Sequence, residues 1–392
     1  MAKLRPVKRT LFHGGRLLDP ERSEQLDGWS LLVEGGRLVA QLPPAEPLPE
    51  AEQVDLEGRM LAPGFLDVHF HGSSIFDAID APAALMRQDA ASILRHGATA
   101  FLATTVAMTR GELSKRVEVL ARAADELSES PDTASVLGIH LEGPWISAEA
   151  PGAQPQDGIR GYDASEGRAV LDAGGGRVRM VTLAPEIPGS AALLEELVRR
   201  DVVPAMGHTR AAAETARDGF DRGVRHVTHL FNAMGAFHHR APGAIGAALA
   251  DDRVSCDLIC DGIHVHPAAM RTAARAKGEQ LLLISDRIDP PERGGVLGGG
   301  LLAADGPVWR LPDGTLAGSR LTMAEAVHNA QHLAGMTRLE ALAAATLRPA
   351  RLLGVEREHG TLRAGARADL VVLQDDGEVA ETWLGGRRVY AR

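Results

Sequence analysis

Residues 63–72 read Pro63-Gly64-Phe65-Leu66-Asp67-Val68-His69-Phe70-His71-Gly72. An apolar run closes on two histidines one residue apart, so both imidazoles lie on one face of a strand. Taken alone, such a pair is either the polar end of a buried strand or half of a ligand set. The rest of the chain decides between them.

Seven further β-rich runs come after it. They are "TAFLATTV", "VLGIHLEGPW", "VRMVTLAPE", "VVPAMGHT", "HVTHLFNAM", "VSCDLICDGIHV" and "QLLLISD". The first run is taken as "MLAPGFLDVHFH", and helical Ala/Leu/Arg segments such as "APAALMRQDAASILRHG" and "AAAETARDGFDRG" separate the strands. Eight βα units predict an α/β fold, a (β/α)8 TIM-like barrel, over residues 61–353. Polar residues collect at the C-terminal ends of these strands: His69 and His71, then Glu142, His208, His229, His264 and Asp286. Polar loops would explain one or two of them. They would not explain why His, Glu and Asp recur there while Lys and Ser do not. In a barrel, that face carries the active site.

The flanks differ. Residues 1–60 and 354–392 show β-like alternation and Gly-rich turns, as in "SLLVEGGRLVAQL" and "GTLRAGARADLVVL". Neither flank is long enough for a stable sheet domain alone. They are expected to pair into one small β-sandwich domain built from both chain termini.

Composition narrows the function. The chain has 392 residues, 45% apolar and 24% charged, with a formal net charge of −10. A general nucleic-acid binder needs clustered basic charge, and this balance argues against one. No run approaches the ~18 apolar residues of a membrane span, and the N-terminus has no apolar signal core. Cys256 and Cys260 lack the companions of a zinc site and read as buried thiols of a reducing compartment. A cytoplasmic location is expected.

His nitrogens and carboxylates suit a borderline divalent metal, Zn2+ or Fe2+. Glu142, His208 and His229 offer three ligands from three strands and leave a position for water, whose pKa a metal lowers toward 7. Asp286, on the last strand, is placed to take that water's proton and return it to a leaving group.

The paired histidines of the first strand, those of the fifth and sixth, and Asp286 resemble the amidohydrolase superfamily. Many of its members bridge two metals with a carboxylated lysine on the fourth strand, and "VRMVTLAPE" has none. Glu142 would take that role. The pattern then resembles the N-acetylglucosamine-6-phosphate deacetylases, through "GIHLEGPWIS", "AMGHT", "THLFNAM", "HHRAPG", "CDGIHV", "SD" and "GTLAGSRLTMAEAVHN", in order along almost the whole chain.

The resemblance implies hydrolysis of the acetamide of N-acetylglucosamine 6-phosphate to glucosamine 6-phosphate and acetate, in amino-sugar metabolism. It implies that Arg240 holds phosphate, reaching into the neighbouring subunit of a homodimer. Asn232 and the Ala233 backbone are implied to help, with His264 on sugar or phosphate. Leu316, Ala317, Gly318 and Ser319 fall in the family's substrate loop. Ala153 and Gln154 fall in the loop after the third strand, where the family usually has a histidine in place of Gln154. A second departure is Arg287, next to Asp286, where a small residue is usual. It could pair with Asp286, bind substrate phosphate or simply point outward, with Asp289 nearby to neutralise it. With His69 and His71 intact, the expected site takes one or two metals, with Glu142 bridging and Asp286 completing the second. The alternatives are an amidohydrolase acting on a related acetamido sugar phosphate, a nucleobase deaminase, or a metal-binding relative without catalysis. Retention of Asp286 argues against the last.

Overall fold

The computed structural model describes residues 8–73, 82–128, 130–291 and 295–392. Eight strands lie side by side in chain order: β1 Phe65–Gly72, β2 Ala98–Thr104, β3 Ser135–Glu142, β4 Val178–Leu183, β5 Val203–Met206, β6 His226–Val227, β7 Ser255–Ile259 and β8 Leu281–Ile284. Neighbouring members of this series pair in parallel. Parallel pairing requires a crossover after each strand. Helices α1 Pro82–Ser92, α2 Arg110–Leu127, α3 Ala164–Ala173, α4 Ser190–Arg199, α5 Ala213–Asp221, α6 Gly243–Ala250 and α7 Pro267–Lys277 supply these crossovers, and α8 Met323–His332 follows the last strand. The sheet curls, and its ends meet where the Asp286 N–H donates to the His69 carbonyl at 3.0 Å. Ser285 Oγ adds a 2.5 Å bond to Asp67 Oδ2. The expected TIM-like barrel is therefore present, its strands buried by apolar residues on both sides.

A segment inserted between β8 and α8 continues the sheet. Arg287–Ile288 pairs with both β1 and Leu316–Ser319, and antiparallel strands Val308–Arg310 and Ala303–Asp305 extend it. A short hairpin, Val296–Leu297 with Gly300–Leu301, belongs to the same insertion. Thr322 and Glu325 form a reciprocal cap that starts α8 just beyond it.

The termini form the small domain. One sheet holds Arg37–Leu42, Ser30–Glu34, Arg9–His13 and Glu52–Asp55. The other runs Arg387–Ala391, Val379–Leu384, Leu370–Leu373, Met60–Pro63, Arg16–Asp19 and Glu24–Asp27, so it mixes both ends of the chain. Phe12, Leu31 and Val33 from one sheet share a core with Leu17, Leu61, Leu370 and Trp383 from the other. This is the expected two-layer β-sandwich.

One expected strand is divided. "MLAPGFLDVHFH" is not continuous: Met60–Pro63 pairs with Leu370–Leu373 in the small domain, and β1 begins at Phe65. Gly64 is the joint, and its N–H bonds the Asp369 carbonyl. A Cβ at Gly64 would sit 2.2 Å from Thr99 Oγ1, so the chain can cross between domains there only without a side chain. Among the described residues, no helix is long and apolar enough to cross a membrane.

Candidate metal centre and substrate cleft

Six side chains converge at the C-terminal end of the barrel. His69 and His71 come from β1 and Glu142 from the end of β3. His208, His229 and Asp286 each lie two residues beyond their strands, β5, β6 and β8. Those three share a left-handed backbone, with φ of 46°, 32° and 49°. Non-glycine residues adopt it rarely, at a cost of about 1–3 kcal/mol each, and such strain concentrates at functional sites. It turns each side chain from its strand end into the barrel mouth.

The six residues form two groups, Glu142 with His208 and His229, and His69 with His71 and Asp286. Glu142 stands between them. Its Oε1 lies 2.9 Å from His229 Nε2 and 3.1 Å from His208 Nε2, while its Oε2 lies 3.3 Å from His71 Nε2. Asp286 Oδ1 lies 3.3 Å from both His69 Nε2 and His71 Nε2.

The outer hydrogen bonds fix two tautomers. His208 Nδ1–H donates to the Ala150 carbonyl at 3.0 Å, and His71 Nδ1–H to the Thr104 carbonyl at 3.1 Å. Each neutral ring therefore aims an Nε2 lone pair inward, at carboxylate oxygens that are also acceptors. Acceptors facing acceptors at about 3 Å require positive charge between them. The residues thus fit a divalent cation, as N/O ligands held by bonds on the far side of the ring.

Without a cation, protons do the same work. Burial pulls the His71 imidazole down, but the Asp286 and Glu142 carboxylates overcome it and lift it to about 10. Burial likewise opposes His229, and Glu142 lifts it to about 9. Burial pushes Glu142 up, yet the His69 charge and bonds from His208 and His229 hold it well below the usual carboxylate range. Asp286 is also held below its ordinary value, with burial outweighed by His69 and His71. Asp286 is therefore ionised at neutral pH.

Beneath the site lies a buried polar layer. Asp257 accepts the backbone N–H of His229 and, at 2.8 Å, the ring of His226. Asp67 accepts the His69 N–H at 3.2 Å. His140 touches Thr182 Oγ1 at 2.8 Å, and burial, then the His69 charge, hold its pKa well below the ordinary value.

A cleft of about 230 Å³ opens over the six residues, with His69 beneath its floor. Ala153, Gln154, Asn232, Ala233, His264, Leu316, Ala317 and Gly318 border it. Val106, Ile288 and Leu297 add an apolar wall.

Known proteins resemble this chain in sequence and in fold. The profile of the amidohydrolase family matches residues 60–389. An N-acetylglucosamine-6-phosphate deacetylase of Danio rerio is 38% identical, covering 87% of each chain. An N-acetylgalactosamine-6-phosphate deacetylase of Escherichia coli O157:H7 is 34% identical, covering 92% of this chain and 95% of that one. A solved structure of a mutant N-acetyl-D-glucosamine-6-phosphate deacetylase from Mycobacterium smegmatis, in complex with N-acetyl-D-glucosamine-6-phosphate, superposes with a TM-score of 0.88 at 33% identity, over 99% of this chain and 100% of that one. The chain belongs to the amidohydrolase family, among its N-acetylglucosamine-6-phosphate deacetylases.

Several residues of this amidohydrolase stand differently from the sequence expectation. Ser319 does not border the cleft. It is fully buried, and its hydroxyl donates to the Ser285 carbonyl at 2.5 Å while its N–H bonds the Asp286 carbonyl at 2.8 Å. It supports the turn that carries Asp286. Arg240 is exposed, with a guanidinium nitrogen 2.7 Å from His239 Nε2, and is not among the residues bordering its own chain's cleft. His264 is in the loop five residues past β7, with Nδ1 held by Asp261 Oδ2 at 2.5 Å. Arg287 is paired with Asp289, at 2.7 Å, rather than with Asp286. Gln154 borders the cleft, but its amide is engaged by Glu142 and Ala107. Sequence reasoning missed Asp67, Asp257 and the apolar wall. A period-2 pattern marks Asp67 as sharing a face with His69, and that was the only available signal.

Proposed function

We propose that the chain hydrolyses the acetamide of N-acetylglucosamine 6-phosphate, giving glucosamine 6-phosphate and acetate. The observation that carries this reading is the convergence of Glu142, His208 and His229 with His69, His71 and Asp286 under one cleft. When bound there, a divalent cation supplies Lewis acidity and makes a hydroxide nucleophile accessible near neutral pH. Glu142, His208 and His229 would hold it, and His69, His71 and Asp286 would offer a second set of donors beside them. Zn2+ or Fe2+ suits these donors.

Asp286 does the proton work. Ionised before substrate arrives, it takes a proton from the attacking water. It then delivers that proton to the departing amine nitrogen, without which the C–N bond breaks poorly. Asn232, the Ala233 backbone and His264 orient the sugar phosphate from the cleft rim. Arg240 stands outside its own cleft, which suits a homodimer in which it supplies a planar donor fork to the partner's phosphate site. Two buried free thiols suit a reducing, cytoplasmic setting.

The similarity to an N-acetylgalactosamine-6-phosphate deacetylase favours one second reading, the epimeric sugar phosphate. The names of the relatives disfavour a nucleobase deaminase. Product analysis decides between the sugars: acetate is expected from the gluco substrate with the higher kcat/KM, and a higher value for the galacto epimer would reassign the substrate.

A further inference from the structure

Gln154 is 7% exposed and sits in the loop after β3. Its Oε1 accepts the Ala107 N–H at 2.7 Å. That bond fixes the amide's orientation, because a flipped amide would face one N–H with another. The Nε2 end must therefore face Glu142, and it donates to Oε2 at 2.5 Å. Both amide ends are engaged by protein.

The same loop also holds His208. The Ser147 N–H bonds the His208 carbonyl at 3.0 Å, and the Ala150 carbonyl accepts His208 Nδ1–H at the same distance. Gly152, at φ 55°, passes so close that a Cβ would sit 3.2 Å from His208 Cε1. One loop thus fixes an imidazole through its backbone and a carboxylate through Gln154. If Gln154 served only to satisfy Ala107, nothing would require its nitrogen to lie against the one carboxylate shared by both ligand groups.

We propose that Gln154 is a positioning residue for Glu142. It fixes the carboxylate's rotation, so that Oε1 faces His208 and His229 while Oε2 faces His71, and it thereby sets cation affinity. A charge-assisted bond to a ligating carboxylate does this by removing the rotational freedom that binding would otherwise cost. The inference rests on the reading that these residues hold a divalent cation, and not on the identity of the sugar.

The test is Zn2+ binding to chelator-treated protein, by competition with a chromophoric chelator. Gln154→Met keeps the length and removes the donor. Zn2+ affinity is expected to fall 10–100-fold, with KM for the sugar phosphate at saturating Zn2+ changed less than about threefold. Gln154→Asn, which retains the amide but is one methylene too short to span Ala107 and Glu142, is expected to weaken Zn2+ likewise and carries the test if the Met variant does not fold. Unchanged Zn2+ affinity with a raised KM would overturn the proposal in favour of direct substrate contact. Unchanged values of both would overturn it outright. Because the readout is binding, it is independent of failure of the acetate-release reaction.

Discussion

The backbone N–H of Asp286 donates to the carbonyl of His69 across 3.0 Å. The last barrel strand thus meets the first through the two residues whose side chains also meet in the site, 3.3 Å apart. Barrel closure and site geometry are one arrangement here. Asp67 reinforces it by accepting from both the His69 N–H and Ser285.

Asp286→Asn separates the proton shuttle from cation binding. Glu142, His208 and His229 remain in place, so the variant is expected to retain at least one cation per chain by elemental analysis. Its kcat is expected to fall 10²–10⁴-fold, the range of a lost general acid–base. A variant with normal kcat would refute the assignment.

Glu142→Gln tests the bridging carboxylate. In the parent protein, Zn2+ at a hundredfold excess over Kd should stabilise the fold by about 2.7 kcal/mol and raise Tm. The variant is expected to show little rise and to stay inactive when Zn2+ is restored after chelation, whereas the parent recovers. Equal Zn2+-dependent shifts in Tm would contradict a ligand role for Glu142.

Arg240→Ala addresses phosphate recognition. Loss of a charge-assisted bond of about 1.5–3 kcal/mol should raise KM for the phosphorylated sugar roughly 10–150-fold, with a small effect on kcat. Discrimination against the plain sugar should collapse in parallel. Sedimentation of the parent as a monomer under assay conditions would exclude donation to a partner's site.

The two cysteines give a pH-dependent prediction. Burial pushes the thiols of Cys256 and Cys260 up to about 12. At pH 8 the reactive thiolate is therefore scarce in the folded protein. A disulfide reagent should label neither thiol in native protein and both in guanidinium chloride. Rapid native labelling at pH 8 would show that one of them is accessible.

The barrel and the metal-centre candidates were legible because both rest on local pattern. Apolar runs with polar C-terminal ends announce parallel strands, and His69, Glu142, His208, His229 and Asp286 each occupy such an end. The break at Gly64 was not legible: residues on either side are equally apolar, and only the contacts of Thr99 and Asp369 divide them between two sheets. Gln154 and Ser319 lay in recognisable loops, but where their side chains point depends on Ala107, Glu142 and Ser285, which are brought near only by the fold. Asp257 offered no signal, since its partner His229 is 28 residues away in sequence. Arg287 had several open partners in sequence, and the geometry selects Asp289.

The decisive measurement is acetate release from N-acetylglucosamine 6-phosphate by purified protein loaded with Zn2+ or Fe2+, run beside unphosphorylated N-acetylglucosamine. Turnover of the phosphorylated sugar is expected, abolished by chelator and restored by metal, with kcat/KM for the plain sugar at least tenfold lower. Equal rates on both sugars, or release that survives complete removal of the metal, would contradict a metal-dependent sugar-phosphate deacetylase.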